Sequence, residues 1–308
     1  MAEKIATRAS YGKALTELGA ENQNIVVMDA DLSGSTQTKK FADKFPERFI
    51  NAGIAECNMM GMAAGLAISG KTVFASTFAM FAAGRAYEII RNSIGYTHAN
   101  VKICATHAGL TVGEDGASHQ CLEDLALMRA IPGMTVINPA DDVSARKLIK
   151  AAAEFNGPCY IRLGRASVPV LYGEDQKVEI GKALKLKEGK DAVIIATGIM
   201  VDAAMQAAEL LKAEGLEVGV MDMHTIKPID EEAIVEAAKT GAIVTVEEHS
   251  VMGGLGSAVA EVVCQKAPCK MKIVGVQDTF GESGTPDALL EKYHLTAADI
   301  AEAVKSIR

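Results

Sequence analysis

The sequence predicts an α/β protein of two doubly wound, mostly parallel-sheet domains. Two patterns carry that prediction. Short apolar runs alternate with longer amphipathic stretches through most of the 308 residues, the sign of strands linked by crossover helices. The alternation breaks once, in a turn-rich and Lys-rich passage, and then resumes. The length is also enough for two domains of ordinary size, each with its own core.

In the first half the predicted strands are 25–28, 72–75, 101–105, 134–137 and 159–163. Helical stretches are expected near 8–18, 56–69, 79–95, 122–130 and 141–155. A crossover of this kind packs back onto a parallel sheet and covers both of its faces. After Leu163 the segment GRASVPVLYGEDQKVEIGKALKLKEGKD carries turn residues and a Lys-rich alternation, which predicts a linker with a small hairpin. A second alternating unit follows, with strands at 192–196, 218–221, 243–246 and 272–274 and helices near 200–214, 230–239, 254–266 and 296–306. The expected division is a first domain over 1–170, a linker over 171–190 and a second domain over 191–308.

Composition excludes several classes of function. A net charge of −8 leaves no basic stripe for nucleic acid. No apolar run is long enough to span a bilayer, and MAEKIATRAS lacks the apolar core of a signal peptide. The six cysteines lie mostly inside apolar segments, as small buried hydrophobes of a reducing, cytoplasmic compartment. Cys264 and Cys269 have no second pair of ligands nearby, so no metal is expected on this chain.

Glu56 stands out within GIAECNMMGMAAGLAISG (53–70), where it is the lone ionisable carboxylate among Gly, Ala, Met, Ile and Leu. Burial disfavours the charged form of a carboxyl, which suits proton transfer near neutral pH. The alternative is a surface Glu on the polar side of a helix, but positions 59–68 offer almost no polar side.

The other polar residues that resist a structural explanation follow the first-half strands, where open parallel sheets bind ligands. One strand leads into Asp29-Ala30-Asp31-Leu32-Ser33-Gly34-Ser35, another into Ser76-Thr77-Phe78 and then Phe81. A third leads into a 106–120 loop holding His107, Glu114, Asp115, Ser118 and His119 among glycines. Histidines exchange protons near neutral pH, and glycines let a ligand approach the backbone. A fourth strand leads into Gly164-Arg165, and an arginine there can grip a phosphate or close a salt bridge. Phe78 and Phe81 serve either as core or as an apolar wall for a flat ring.

Several of these segments carry a resemblance. Gly53-Ile54-Ala55-Glu56, Thr77-Phe78, Gly113-Glu114-Asp115-Gly116-Ala117-Ser118-His119-Gln120, Ile131-Pro132-Gly133-Met134 and Asn138-Pro139-Ala140-Asp141 are similar to the pyrimidine-binding half of transketolase. Ala196-Thr197-Gly198 and Val246-Glu247-Glu248-His249, followed by Gly253-Gly254, resemble that family's carboxyl-terminal domain. The resemblance covers essentially the entire chain.

It implies thiamine diphosphate bound across a subunit interface, with Glu56 hydrogen-bonded to the aminopyrimidine and promoting loss of the thiazolium C2 proton. Phe78 and Phe81 match the aromatic wall around the pyrimidine. His107, Asp115 and His119 match residues that contact sugar hydroxyls, the histidines also relaying protons, and Ser35 and Arg165 match residues that hold the sugar phosphate. The diphosphate and its Mg²⁺ or Ca²⁺ belong to an amino-terminal domain marked by Gly-Asp-Gly, a signature this sequence lacks.

The expectation is therefore the carboxyl-terminal subunit of a split transketolase. It would move a two-carbon ketol unit from a ketose phosphate to an aldose phosphate in the pentose phosphate pathway, within a cytoplasmic heterotetramer of two copies of each chain. Ala108-Gly109 after His107 leans towards 1-deoxyxylulose 5-phosphate synthase, and the later Gly113-Glu114-Asp115-Gly116 leans back towards transketolase. A 2-oxo acid dehydrogenase beta subunit and a non-catalytic interaction subunit are the other readings. Glu247 and Glu248 are expected only to lead a turn into a helix, and the second domain to serve assembly.

Overall fold

A computed structural model describes residues 3–308. The first half builds six strands of a seven-stranded sheet in the order Thr225–Lys227, Thr135–Ile137, Cys159–Arg162, Val101–Thr106, Thr72–Phe78, Ile25–Asp29, Phe49–Asn51. All neighbours are parallel except the edge strand Thr225–Lys227. Alternation along each strand divides the side chains between two layers. Ile25 and Val27 face a core with Tyr11, Leu15, Phe74 and Ile161, whereas Val26 and Met28 face one with Met59, Met60, Val73 and Ile103.

The second half builds a five-stranded sheet in the order Lys270–Val276, Ala242–Ser250, Ala192–Ala196, Val218–Asp222, Leu184–Lys187, with the last strand antiparallel. The predicted strands and long helices are therefore present in both halves. Their ends differ by a few residues, and the strand at Ala242–Ser250 is much longer than the apolar run within it.

Four expectations are corrected. No hairpin forms in the linker: Ser167–Pro169 pairs with Lys4–Ala6, and the Lys-rich Leu184–Lys187 joins the second sheet. Alternation reveals that a segment is a strand, but not its partner. Thr225–Lys227, from the second half, closes an edge of the first sheet, so the halves share hydrogen bonds as well as core. The helix expected over 79–95 is two π-helical turns, Met80–Arg85 and Ile90–Gly95, around Tyr87–Ile89. There the Ala86 N–H donates to the Phe81 carbonyl (3.2 Å) and the Tyr96 N–H to the Arg91 carbonyl (2.9 Å), a winding often found near functional sites. Cysteine burial is also mixed: Cys104, Cys121 and Cys159 are buried, Cys57 and Cys264 are exposed and Cys269 is half-buried.

Among the described residues, no helix is long and apolar enough to cross a membrane.

Candidate functional site

Strands 25–29, 72–78, 101–106 and 159–162 are neighbours in the first sheet, so the loops at their carboxyl ends form one continuous rim. Two clusters lie along it.

The first is aromatic. Phe78 ends its strand, and Phe81 follows on the first π-helical turn. Their rings stack at 5.6 Å between centroids. His107 stacks on Phe78, with centroids 3.9 Å apart and planes 26° apart. His119 meets Phe81 edge-on at 5.5 Å and Phe78 at 6.3 Å. Four residues predicted from two segments thus share one apolar and imidazole surface. Ser118 Oγ is 3.0 Å from His119 Nδ1.

The second cluster is cationic. Arg8, on the helix Thr7–Glu21, donates to the Ser35 carbonyl (2.8 Å) and lies 3.4 Å from His107 Nε2. Arg165 is hydrogen-bonded to the Val112 carbonyl, and its guanidinium is 3.3 Å from Glu114 and 3.8 Å from Asp115. Burial lowers the Arg8 pKa, and the positive charge of Arg165 lowers it further. Two guanidiniums within reach of each other's field form a site that an anion stabilises. Burial, then Arg8, Arg165 and His119, bring the His107 pKa down to about 3. His107 is therefore a neutral imidazole at neutral pH, with Thr106 Oγ1 2.9 Å from Nδ1. Sequence reasoning missed Arg8 because a lone arginine at the start of an amphipathic helix reads as a solvated residue. The tertiary packing of that helix against the rim supplies the signal.

Glu56 begins the helix Glu56–Ile68 and is 4 % exposed. Its Oε2 is buried and has no hydrogen-bond partner among the described residues. A carboxyl oxygen in that state is costly unless a ligand or a further chain pairs with it. Glu56 makes no hydrogen bond to either cluster. The helix is not buried all round: Cys57, Gly61, Met62, Gly65 and Ile68 are exposed, and Ile54 beside it is 81 % exposed. An ideal Cβ at Gly61 or Gly65 would meet nothing within 4 Å. The apolar sequence around Glu56 thus covers two environments, a core on one side and an open face on the other.

The loop 106–120 contains the 3₁₀ segment Leu110–Asp115, kinked at Gly113 (φ 85°). Glu114, Asp115, Ala117 and Ser118 are exposed while Thr111, Val112, Gly116 and Gln120 are buried. Asp115 joins the rim through Arg165. Of Ser35, the backbone carbonyl is what the cluster uses. Among the described residues, no group of His, Cys, Asp and Glu could hold a metal ion.

In the second half, Glu247 accepts from the N–H groups of Leu255 and Gly256, both at 2.7 Å, at the start of the helix Leu255–Lys266. The expected turn into a helix is present there, with its first turn capped by the acid.

Residues 3–170 match the transketolase pyrimidine-binding domain and 181–300 the transketolase C-terminal domain. The chain is 53 % identical to a protein of Methanocaldococcus jannaschii named as a transketolase C-terminal section, over 96 % of this chain and 94 % of that one. It is 42 % identical to a 6-deoxy-6-sulfo-D-fructose transketolase subunit of Clostridium sp., over 97 % of this chain and 94 % of the relative. A solved split-gene transketolase, described as an inactive beta4 tetramer, superposes with a TM-score of 0.93 at 60 % identity, covering 98 % of each chain. The chain belongs to the transketolase family, in which it corresponds to the pyrimidine-binding and C-terminal domains.

Proposed function

We propose that this chain is one subunit of a thiamine-diphosphate-dependent transketolase, moving a two-carbon ketol unit from a ketose phosphate to an aldose phosphate. The observation that carries the reading is Glu56: a buried carboxyl with an oxygen left unpaired among the described residues, at the edge of an open apolar face. That arrangement fits an aminopyrimidine, which offers a ring nitrogen and an amino group to a carboxyl. When bound, thiamine diphosphate supplies the carbon nucleophile for ketol transfer.

The chain's own residues do the rest. Glu56 would hold the pyrimidine ring by a hydrogen bond. Phe78 and Phe81 exclude water from it and present an apolar wall. His107 acts as a neutral hydrogen-bonding group. Asp115 and His119 contact the sugar hydroxyls, and His119 passes protons. Arg165 and the Ser35 loop, with Arg8, receive the anionic end of the sugar.

Residues 1–170 serve as the pyrimidine-binding domain, 171–190 as the linker and 191–308 as the C-terminal domain. A partner subunit carries the diphosphate together with Mg²⁺ or Ca²⁺, and two copies of each chain form a cytoplasmic heterotetramer. The exposed face around Ile54, Met62 and Ile68 gives that partner an apolar surface beside Glu56.

A second reading concerns the donor. The Clostridium relative is named for a 6-deoxy-6-sulfo sugar, and a pair of guanidiniums accepts a sulfonate as well as a phosphate. Purified chain and partner, assayed separately and mixed with thiamine diphosphate and Mg²⁺, test the proposal. Transfer is expected only on mixing, and parallel assays with phospho- and sulfo-sugars decide the donor class. Full activity of this chain alone overturns the split-subunit reading.

A further inference from the structure

Glu248 lies in the second half of the chain, on the strand Ala242–Ser250, and is 4 % exposed. Its carboxylate reaches into the first half. Oε2 accepts from the Thr111 backbone N–H (3.1 Å), and Thr111 Oγ1 donates to Oε2 (3.0 Å) and Oε1 (3.3 Å). Thr111 is in the first turn of the segment Leu110–Asp115, where an N–H has no carbonyl of its own helix to bond. The acid supplies the missing acceptor from a sheet more than a hundred residues away in sequence.

The contact is built from both sides. Gly109 has φ +82°, and a Cβ there would lie 2.3 Å from Glu248 Cδ. The loop backbone therefore presses directly on the carboxylate, and no larger residue fits between them. Behind the carboxylate, Arg162 Nη1 is 3.9 Å from Oε1. Arg162 is in turn fixed by Asp124 at 2.9 and 3.2 Å, and Asp124 accepts from the Tyr160 hydroxyl at 2.8 Å. Glu248 is thus locked between a buried arginine and the loop.

A second contact from the same half holds the other end of the loop. Gln120 Nε2 donates to the Glu282 carbonyl (2.9 Å), and Gly116 packs against Ser283. Between the anchors at Thr111 and Gln120 stand the exposed Asp115 and half-buried His119.

We propose that Glu248 is a positioning residue, which sets the conformation in which the 106–120 loop presents Asp115 and His119 to the sugar. Its catalytic consequence rests on the ketol-transfer reading, whereas the hold on the loop does not. The second half then has a task beyond assembly. Its sheet supplies the acceptor that orders the loop.

The test uses Glu248→Gln, which keeps the volume and one acceptor, in the full chain. Amide hydrogen exchange is compared over residues 109–120 and over the strand Ala192–Ala196. The kinetic constants of the enzyme assembled with its partner are then measured. Replacing one acceptor oxygen by an amide donor predicts about tenfold faster exchange in the loop with the strand unchanged. It also predicts a KM for the sugar raised by about tenfold, with kcat lowered much less. Unchanged loop exchange overturns the proposal. So does equal loosening of loop and strand with KM unchanged, the mark of a purely structural role. If the wild-type pair shows no ketol transfer, the functional reading falls, and the exchange comparison alone decides whether Glu248 holds the loop.

Discussion

His107 lies flat against Phe78, with ring centroids 3.9 Å apart, while its Nε2 is 3.4 Å from the Arg8 guanidinium. An Arg N–H donating to Nε2 requires the ring proton on Nδ1, which then donates to Thr106 Oγ1. Burial, the Arg8 and Arg165 guanidiniums and His119 all oppose a charged imidazolium. With a pKa near 3, His107 contributes a fixed dipole and not a titrating acid. Arg8→Met removes the nearest positive charge, so the His107 midpoint in an NMR titration should rise by roughly one unit. An unchanged midpoint contradicts this electrostatic account.

The two arginines should act on the anionic end of the substrate. Arg165→Ala should raise KM for a phosphorylated sugar by about 10–100-fold, the worth of a charge-assisted bond to phosphate. KM for an unphosphorylated donor should change far less. Equal effects on both substrates refute the role. Arg8→Met should give the same selectivity, because it lies within the same field.

A pH prediction follows from Asp222, which is fully buried in the second half. Tyr172 donates to its Oδ2 at 2.7 Å, and Oδ1 has no partner among the described residues. Burial is the main cause that raises its pKa from 3.8 to about 8. The folded chain therefore keeps a proton that the unfolded chain releases near pH 4. Stability from this group is present in full below that point and is lost as pH rises towards 8, at up to about 1.4 kcal/mol per unit. Glu248, pushed up mainly by burial to about 7, adds a loss of the same sign. Asp222→Asn should make urea unfolding less pH-dependent, shrinking the loss between pH 5 and pH 8 by roughly 2–4 kcal/mol. Equal slopes in the two proteins would remove Asp222 from the account.

How far the sequence could be read depended on whether the information was local. The strand Ala192–Ala196 was legible to its ends, because a fully buried parallel strand is a continuous apolar run. The strand Ala242–Ser250 was half legible, since Glu247, Glu248 and His249 are polar residues buried by partners elsewhere in the chain. Leu184–Lys187 showed its alternation but not its partner, which the tertiary fold selects. In the site, Glu56 was visible because its surroundings in sequence are apolar, and Phe78, Phe81, His107 and His119 because each lies at or after the end of a strand. Arg8 and Glu248 were not visible: their tasks are set by residues 99 and 137 positions away.

The central claim is that Glu56 activates a cofactor that this chain holds at its pyrimidine end. Deuterium exchange at the thiazolium C2 of thiamine diphosphate, bound to the enzyme assembled with its partner, tests it without knowledge of the sugar substrates. Glu56→Gln should slow that exchange by roughly 10²–10⁴, the range for loss of a positioned acid–base group, while thiamine diphosphate still binds. Exchange near the wild-type rate in a variant that retains the cofactor would contradict the claim.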